Sequence, residues 1–122
     1  MTKKTPLVAY LDKTPEIPCP YGDVRRVVTA GAGGVANVHI VRITRGGRHF
    51  HQAYDETYYL LAGEGSIELG DEKHALRPGA VVVIPAGVPH ALEADEGHTL
   101  EFVIFGTPPA PIDSEAARPR KI

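Results

Sequence analysis

The chain has 122 residues, 43% of them hydrophobic and 23% charged, with a formal net charge of −2. That is the size and balance of one globular domain able to bury its own core, and without a basic cluster before the last five residues it gives nucleic-acid binding no electrostatic support. No apolar run approaches the roughly 18 residues of a membrane helix.

The N-terminal stretch M-T-K-K-T-P-L-V-A-Y-L-D holds too few apolar residues before Asp12 for a secretory leader and yields a first short strand at 7–11. Residues 12–23 carry three prolines and read as an extended arm. Within that arm Cys19, the only cysteine, cannot form an internal disulfide. It reads as a loop thiol, and the location expected is the reducing cytoplasm.

Beyond the arm, runs rich in Val, Ile, Leu, Tyr and Phe predict strands at 24–30, 35–45, 56–61, 66–69, 73–76, 80–84, 90–94 and 99–106. Turn chemistry separates them: G-A-G-G at 31–34, R-G-G-R at 45–48, G-E-G at 63–65, L-G-D-E at 69–72, R-P-G at 77–79 and P-A-G-V-P at 85–89. No window of a dozen residues keeps a helical period. Many short strands with regular turns argue an all-β sandwich or barrel over 24–106. The tail, 107–122, has four prolines and few large apolar groups, and is expected to lie on the surface or be disordered.

The stretch H-F-H-Q-A-Y-D-E at 49–56 carries the chemistry. In a strand, residues i and i+2 share a face, so His49 and His51 can aim at one point, with the Glu56 carboxylate arriving from the next segment. A second histidine segment follows, G-A-V-V-V-I-P-A-G-V-P-H, from Gly79 to His90: a strand, a tight turn and a strand opening on His90.

Together the two segments resemble the paired motifs of the cupin superfamily, written G-x5-H-x-H-x3,4-E-x6-G and G-x5-P-x-G-x2-H-x3-N. His49, His51, Glu56 and Gly63 fit the first; Gly79, Pro85, Gly87 and His90 fit the second. Two positions depart from the pattern: Ile43 stands where the leading glycine belongs, and Ala94 where the closing asparagine belongs. The resemblance implies a double-stranded β-helix, or jelly-roll barrel, with His49, His51, Glu56 and His90 as ligands of one metal. Imidazole donors suit a divalent transition ion such as Fe, Mn, Ni or Zn better than Ca or Mg. Cupins with this ligand set include isomerases and dioxygenases as well as non-catalytic binding modules, so an enzyme acting on a small oxygenated, anionic metabolite is expected, with a binding module as the alternative.

Further candidates come from strand alternation. Tyr58 and Leu60 share the face of Glu56, so Tyr58 is a pocket candidate. Gln52 and Tyr54 flank the ligand segment and could hydrogen-bond a bound molecule. Glu101, set among alternating apolar residues in T-L-E-F-V-I-F, is a candidate general base if its face is inward. Asp55 reads as a turn residue or as support for a ligating histidine. His39 reads as a core or opposite-face residue, with a place beside the ligands as the less favoured choice, and His74 and His98 as solvent-facing. Outward Thr57, Tyr59 and Leu61, with the N-terminal strand, supply a face for a homodimer, and no nucleic-acid or membrane partner is expected.

Overall fold

The structure, a computed structural model, describes residues 6–109. Ten antiparallel strands form two sheets: β1 (Ile17–Cys19), β2 (Gly22–Val28), β3 (Asn37–Ile43), β4 (Arg45–His49), β5 (Asp55–Ala62), β6 (Gly65–Leu69), β7 (Glu72–Leu76), β8 (Val81–Ile84), β9 (His90–Ala94) and β10 (Leu100–Thr107). One sheet has the order β1-β2-β3-β10-β5-β8, the other β4-β9-β6-β7. The two face each other as a jelly-roll barrel, the all-β architecture expected of the sequence.

Alternation builds the interior. Along β5 the inward side chains are Glu56, Tyr58 and Leu60; along β10 they are Leu100, Phe102, Ile104 and Gly106. The core gathers Val41, Ile43, Leu60, Ile67, Leu92, Leu100 and Phe102 between the sheets. Register ties these into cross-strand rows, such as Val41–Phe102–Leu60 and, one step along, His39–Ile104–Tyr58.

Three predicted elements are corrected. Residues 7–11 do not form a strand: the chain is extended, with Val8 and Tyr10 exposed, and runs into a 3-10 turn at Leu11–Lys13. Their apolar character found no sheet edge to pair with, and strand preference depends on such a partner. The proline-rich arm is instead a hairpin, β1 against β2, so Cys19 sits in a strand opposite Gly22. Pro18 is tolerated because β1 is the sheet's edge, where a missing N–H costs no ladder bond. The strand expected at 35–45 ends at Ile43, and the R-G-G-R expected as a turn is β4, in the opposite sheet. Thr44 is the crossing point, and the register slips between Gly46 and His49, a bend of the kind by which strands switch sheets.

The barrel strands end at Thr107, and most of the predicted surface tail, 110–122, lies outside the described residues. No helix among the described residues is long and apolar enough to cross a membrane.

Candidate metal centre

Four side chains converge on one end of the barrel interior. His49 closes β4 and His90 opens β9, paired directly across the ladder, so both imidazoles leave on one face. His51 comes from the loop after β4, and Glu56 enters from β5 in the facing sheet. The donor atoms of His49, His51 and His90 lie within 4.8 Å of one another, and the ring centroids of His49 and His90 are 4.4 Å apart. Glu56 Oε1 stands 3.3 Å from His51 Nε2 and 3.5 Å from His90 Nε2. His51, Glu56 and His90 are buried and His49 is half-buried.

The backbone fixes this arrangement. Gly87 N–H donates to the His51 carbonyl at 2.7 Å, and Ala86 N–H donates to Asp55 Oδ1 at 2.8 Å. Asp55 is therefore a clamp that ties the turn before His90 to the start of the Glu56 strand. Gly87 itself, at φ +88°, takes a conformation that side chains resist, which is why this turn carries a glycine. Gly63, at φ +92°, closes the first segment, and a Cβ there would collide with the Thr99 carbonyl.

Hydrogen bonds set the tautomers. His49 Nδ1 lies 2.7 Å from the Gly47 carbonyl and His90 Nδ1 lies 2.9 Å from the Val88 carbonyl. A carbonyl only accepts, so each Nδ1 carries a proton, and the neutral form of each ring has its Nε2 lone pair facing inward. His51 Nδ1 meets the Tyr54 hydroxyl at 3.0 Å, and the Tyr58 hydroxyl donates to Glu56 Oε1 at 3.1 Å. This is the arrangement in which a ligating imidazole anchors its outer nitrogen to a neighbour.

Electrostatics agree. Burial lowers the His49 pKa below its ordinary 6.5, opposed by the Gly47 carbonyl and Glu56 and reinforced by His90 and His51. Burial alone would raise the Glu56 carboxyl, but the His51 and His90 rings beside it, when they carry a proton, hold it down at about 2. Burial and then Glu56 push the Tyr58 hydroxyl well above 10, so it remains a donor. His90 Nε2 is buried and, among the described residues, makes no well-formed hydrogen bond, the Glu56 carboxylate standing 3.5 Å away. An imidazole nitrogen and a carboxylate oxygen 3.5 Å apart attract only with a proton or a cation shared between them. The residues present therefore fit a metal ion, and His49, His51 and His90 could hold one beside Glu56.

A cavity of about 200 Å³ opens beside these donors. Tyr54 and Tyr58 line it; Gln52 does not, being exposed on the loop. Glu101 is corrected as well: it lies on the outer face of β10, 3.7 Å from Arg42 Nε, in a surface ion pair away from the cavity. His74 and His98 are exposed, as expected. His39 is placed otherwise than the favoured expectation, on the cavity wall with Asn37, Val41 and Ile43. Strand parity puts 37, 39, 41 and 43 on one face, but Val38 and Ile40 make the other face equally apolar, so the sequence did not say which face is inward.

The cupin domain family model matches residues 38–106. The chain is a cupin. It is 35% identical over 95 residues to protein SchB of Streptomyces halstedii, covering 74% of this chain and 69% of SchB. Among solved structures, the polyketide cyclase RemF from Streptomyces resistomycificus superposes with a TM-score of 0.68 at 19% identity, over 87% of the cupin and 79% of RemF. Ectoine synthase from P. lautus superposes at 0.75 with 20% identity, over 95% and 99% of the two chains. At these identities the structural likeness shows the fold.

Proposed function

We propose that this cupin is a metal-dependent enzyme in which His49, His51, His90 and Glu56 hold one divalent transition ion. Its substrate is a compact, oxygen-chelating organic anion with an apolar body, such as a 2-oxo acid or an enolised diketone, and its reaction an isomerisation or an oxygen-dependent cleavage. The same fold serves a polyketide cyclase and an ectoine synthase, so the substrate class has to come from the cavity's own lining.

That lining is the observation that carries the reading. Beside the donors the wall is made by Val41, Ile43, Leu92, Phe102 and Ile104, and among the described residues no Lys or Arg lines it. Arg26, the cross-strand neighbour of His39, is exposed and outside that wall, so a phosphate ester would find no cation among the wall residues apart from the ion itself. The volume of about 200 Å³ is below the ~300 Å³ at which drug-sized pockets begin, so the ligand is small. Three neutral imidazoles and one carboxylate around a dication sum to about +1, which suits a monoanion. Bound there, such an ion supplies Lewis acidity towards a carbonyl oxygen and, if redox-active, electron transfer. Tyr58 fixes the Glu56 carboxylate, Tyr54 fixes the His51 ring, and the apolar wall excludes water from the ligand's body.

The test strips the protein of metal, reloads it separately with iron, manganese, nickel and zinc, and offers 2-oxo acids, hydroxy acids, diketones and sugar phosphates. Turnover of an oxo acid or diketone is expected. Oxygen uptake with iron alone identifies cleavage; product without oxygen and with several metals identifies isomerisation. Saturable binding with no product under any metal would leave a binding module, and a preference for sugar phosphates would refute the argument from the lining.

The same reading keeps the protein in the cytoplasm, supported by the unpaired Cys19, and makes it a homodimer. On the outer face, Val81 and Tyr59 are cross-strand neighbours, as are Val83 and Thr57, and Phe105 lies beside Thr57, leaving a contiguous exposed apolar patch. Light scattering should report about twice the 13.1 kDa chain mass, and a monomer at all concentrations would refute the pairing.

A further inference from the structure

We infer that His39 is the proton-transferring group of the cavity, its Nε2 taking the proton from the carbon beside the substrate's carbonyl. This rests on the reading of the chain as an enzyme of enolisable carbonyl compounds, and supplies the base that reading requires.

Four observations meet at this residue. His39 lies on the cavity wall but outside the group of three imidazoles whose donor atoms converge. It stands in the row His39–Ile104–Tyr58, two strands from Tyr58, or about 10 Å between backbones at the usual strand spacing. Ile104 of β10 stands between them, so both side chains leave the same face of one sheet towards the cavity. Its Nε2 is shielded from solvent and has no hydrogen-bond partner among the described residues. Nearly all buried polar atoms have one, so a bare nitrogen on a cavity wall calls for a ligand. Packing alone does not ask for a nitrogen here, since the next inward positions of β3 are Val41 and Ile43.

The surroundings keep the ring unprotonated. Burial lowers the His39 pKa from its ordinary 6.5, Arg26 lowers it further, and Glu56 partly opposes them. Arg26 is its direct cross-strand neighbour on β2. In its own sheet β5 adds Glu56 and Tyr58 and β10 offers Ile104, which does not titrate, while His49, His51 and Tyr54 share the cavity lining with it. At neutral pH the imidazole is a base, as proton abstraction requires.

In the step, the C–H bond next to the carbonyl breaks and its proton goes to His39 Nε2. The C–H electron pair becomes the C=C bond of an enolate, and the carbonyl π pair moves to oxygen. Return of a proton from His39 to carbon restores the ketone, so no oxidant or reductant is consumed.

The experiment follows exchange of the C3 protons of 2-oxopentanoate in deuterium oxide by proton NMR, using the zinc-loaded full chain. His39→Gln and His39→Asn should slow exchange by about a hundredfold or more, with zinc content and 2-oxopentanoate affinity unchanged. In His39→Ala, added imidazole should restore part of the exchange, which a packing role would not allow. Wild-type exchange should fall on the acid side of pH 6.5 as the ring protonates, and that inflection should vanish in His39→Gln. Independently of turnover, the His39 nitrogen resonances of labelled protein should move when 2-oxopentanoate binds. Wild-type exchange that survives in all three variants would overturn the role of His39 and leave the enzyme reading standing. Binding without wild-type exchange would overturn both.

Discussion

One strand, β5, passes through both ends of the barrel interior within five residues. At Leu60 it joins the row Val41–Phe102–Leu60, which is apolar; at Tyr58 the row is His39–Ile104–Tyr58; at Glu56 it is Asn37–Gly106–Glu56. The same alternation delivers all three inward side chains, yet the ends are held by different forces. The apolar end is held by burial and close packing around Phe102 and Leu100. The polar end is held by satisfied charge: Glu56 alone in that position would be costly, and Tyr58, His51 and His90 offset the cost. The lesson is that stability and chemistry are stacked along the same strands, one row apart, and should be separable by mutation.

The sharpest break removes the apolar end. Phe102 is 2% exposed and packs on the Tyr58 ring at 4.9 Å. Phe102→Ala should cost about 3–5 kcal/mol of stability, read from the urea midpoint, because it leaves a void the sheets cannot close. Metal affinity of the molecules that remain folded should change little. If affinity falls as steeply as stability, the two ends are not separable.

The next break removes the polar end. His90→Ala should reduce metal affinity by about a hundredfold, roughly 2.8 kcal/mol, read by metal content after dialysis. The barrel should still fold, since Glu56 keeps Tyr58 and His51 as partners in this variant. Stoichiometric metal in this variant would refute the proposed ligand set. Tyr54→Phe is a gentler probe: it removes the partner of His51 Nδ1 without touching a donor atom. About tenfold weaker metal binding is expected, the lower end of what outer hydrogen-bond partners contribute. An unchanged affinity would mean that the Tyr54 contact only packs.

The two ends also differ in how far they could be read in advance. The apolar end was legible because period-two patterning marks strands wherever one residue in two is large and apolar. It failed at β4, where Arg45-Gly46-Gly47-Arg48 has no apolar residue to show the pattern and reads as a turn. It failed again at 7–11, where strand-forming residues have no partner. At the polar end the convergence of His49, His51 and His90 was legible because the spacing of the two histidine segments is constrained by chemistry. Glu101 and His39 were not, since each lies in a strand apolar on both faces. Register alone decided them, sending Glu101 out to Arg42 and His39 in to the cavity. Asp55 was ambiguous for a different reason: its partner, the Ala86 amide, lies 31 residues away.

The smallest expected effect, per unit of pH, is an acid sensitivity confined to the polar end. His39 and His49 both have folded pKa values below 6.5. As pH falls below 6.5, the unfolded chain takes up protons on these residues before the folded chain does, so metal-free stability should fall with acid. Each residue contributes at most about 1.4 kcal/mol per pH unit. Glu56 adds a second decline of the same sign between its ordinary 4.5 and about 2, where the unfolded carboxyl protonates while the folded one resists. Urea midpoints of metal-free protein from pH 7.5 to 5 test the histidine part, and His49→Asn should shallow the slope. Saturating zinc should raise stability most at pH 7.5 and progressively less towards pH 5, because protons compete for the same Nε2 atoms. A metal-free stability that is flat or rises over that range would contradict the lowered histidines, and with them the picture of a polar end poised to take a cation.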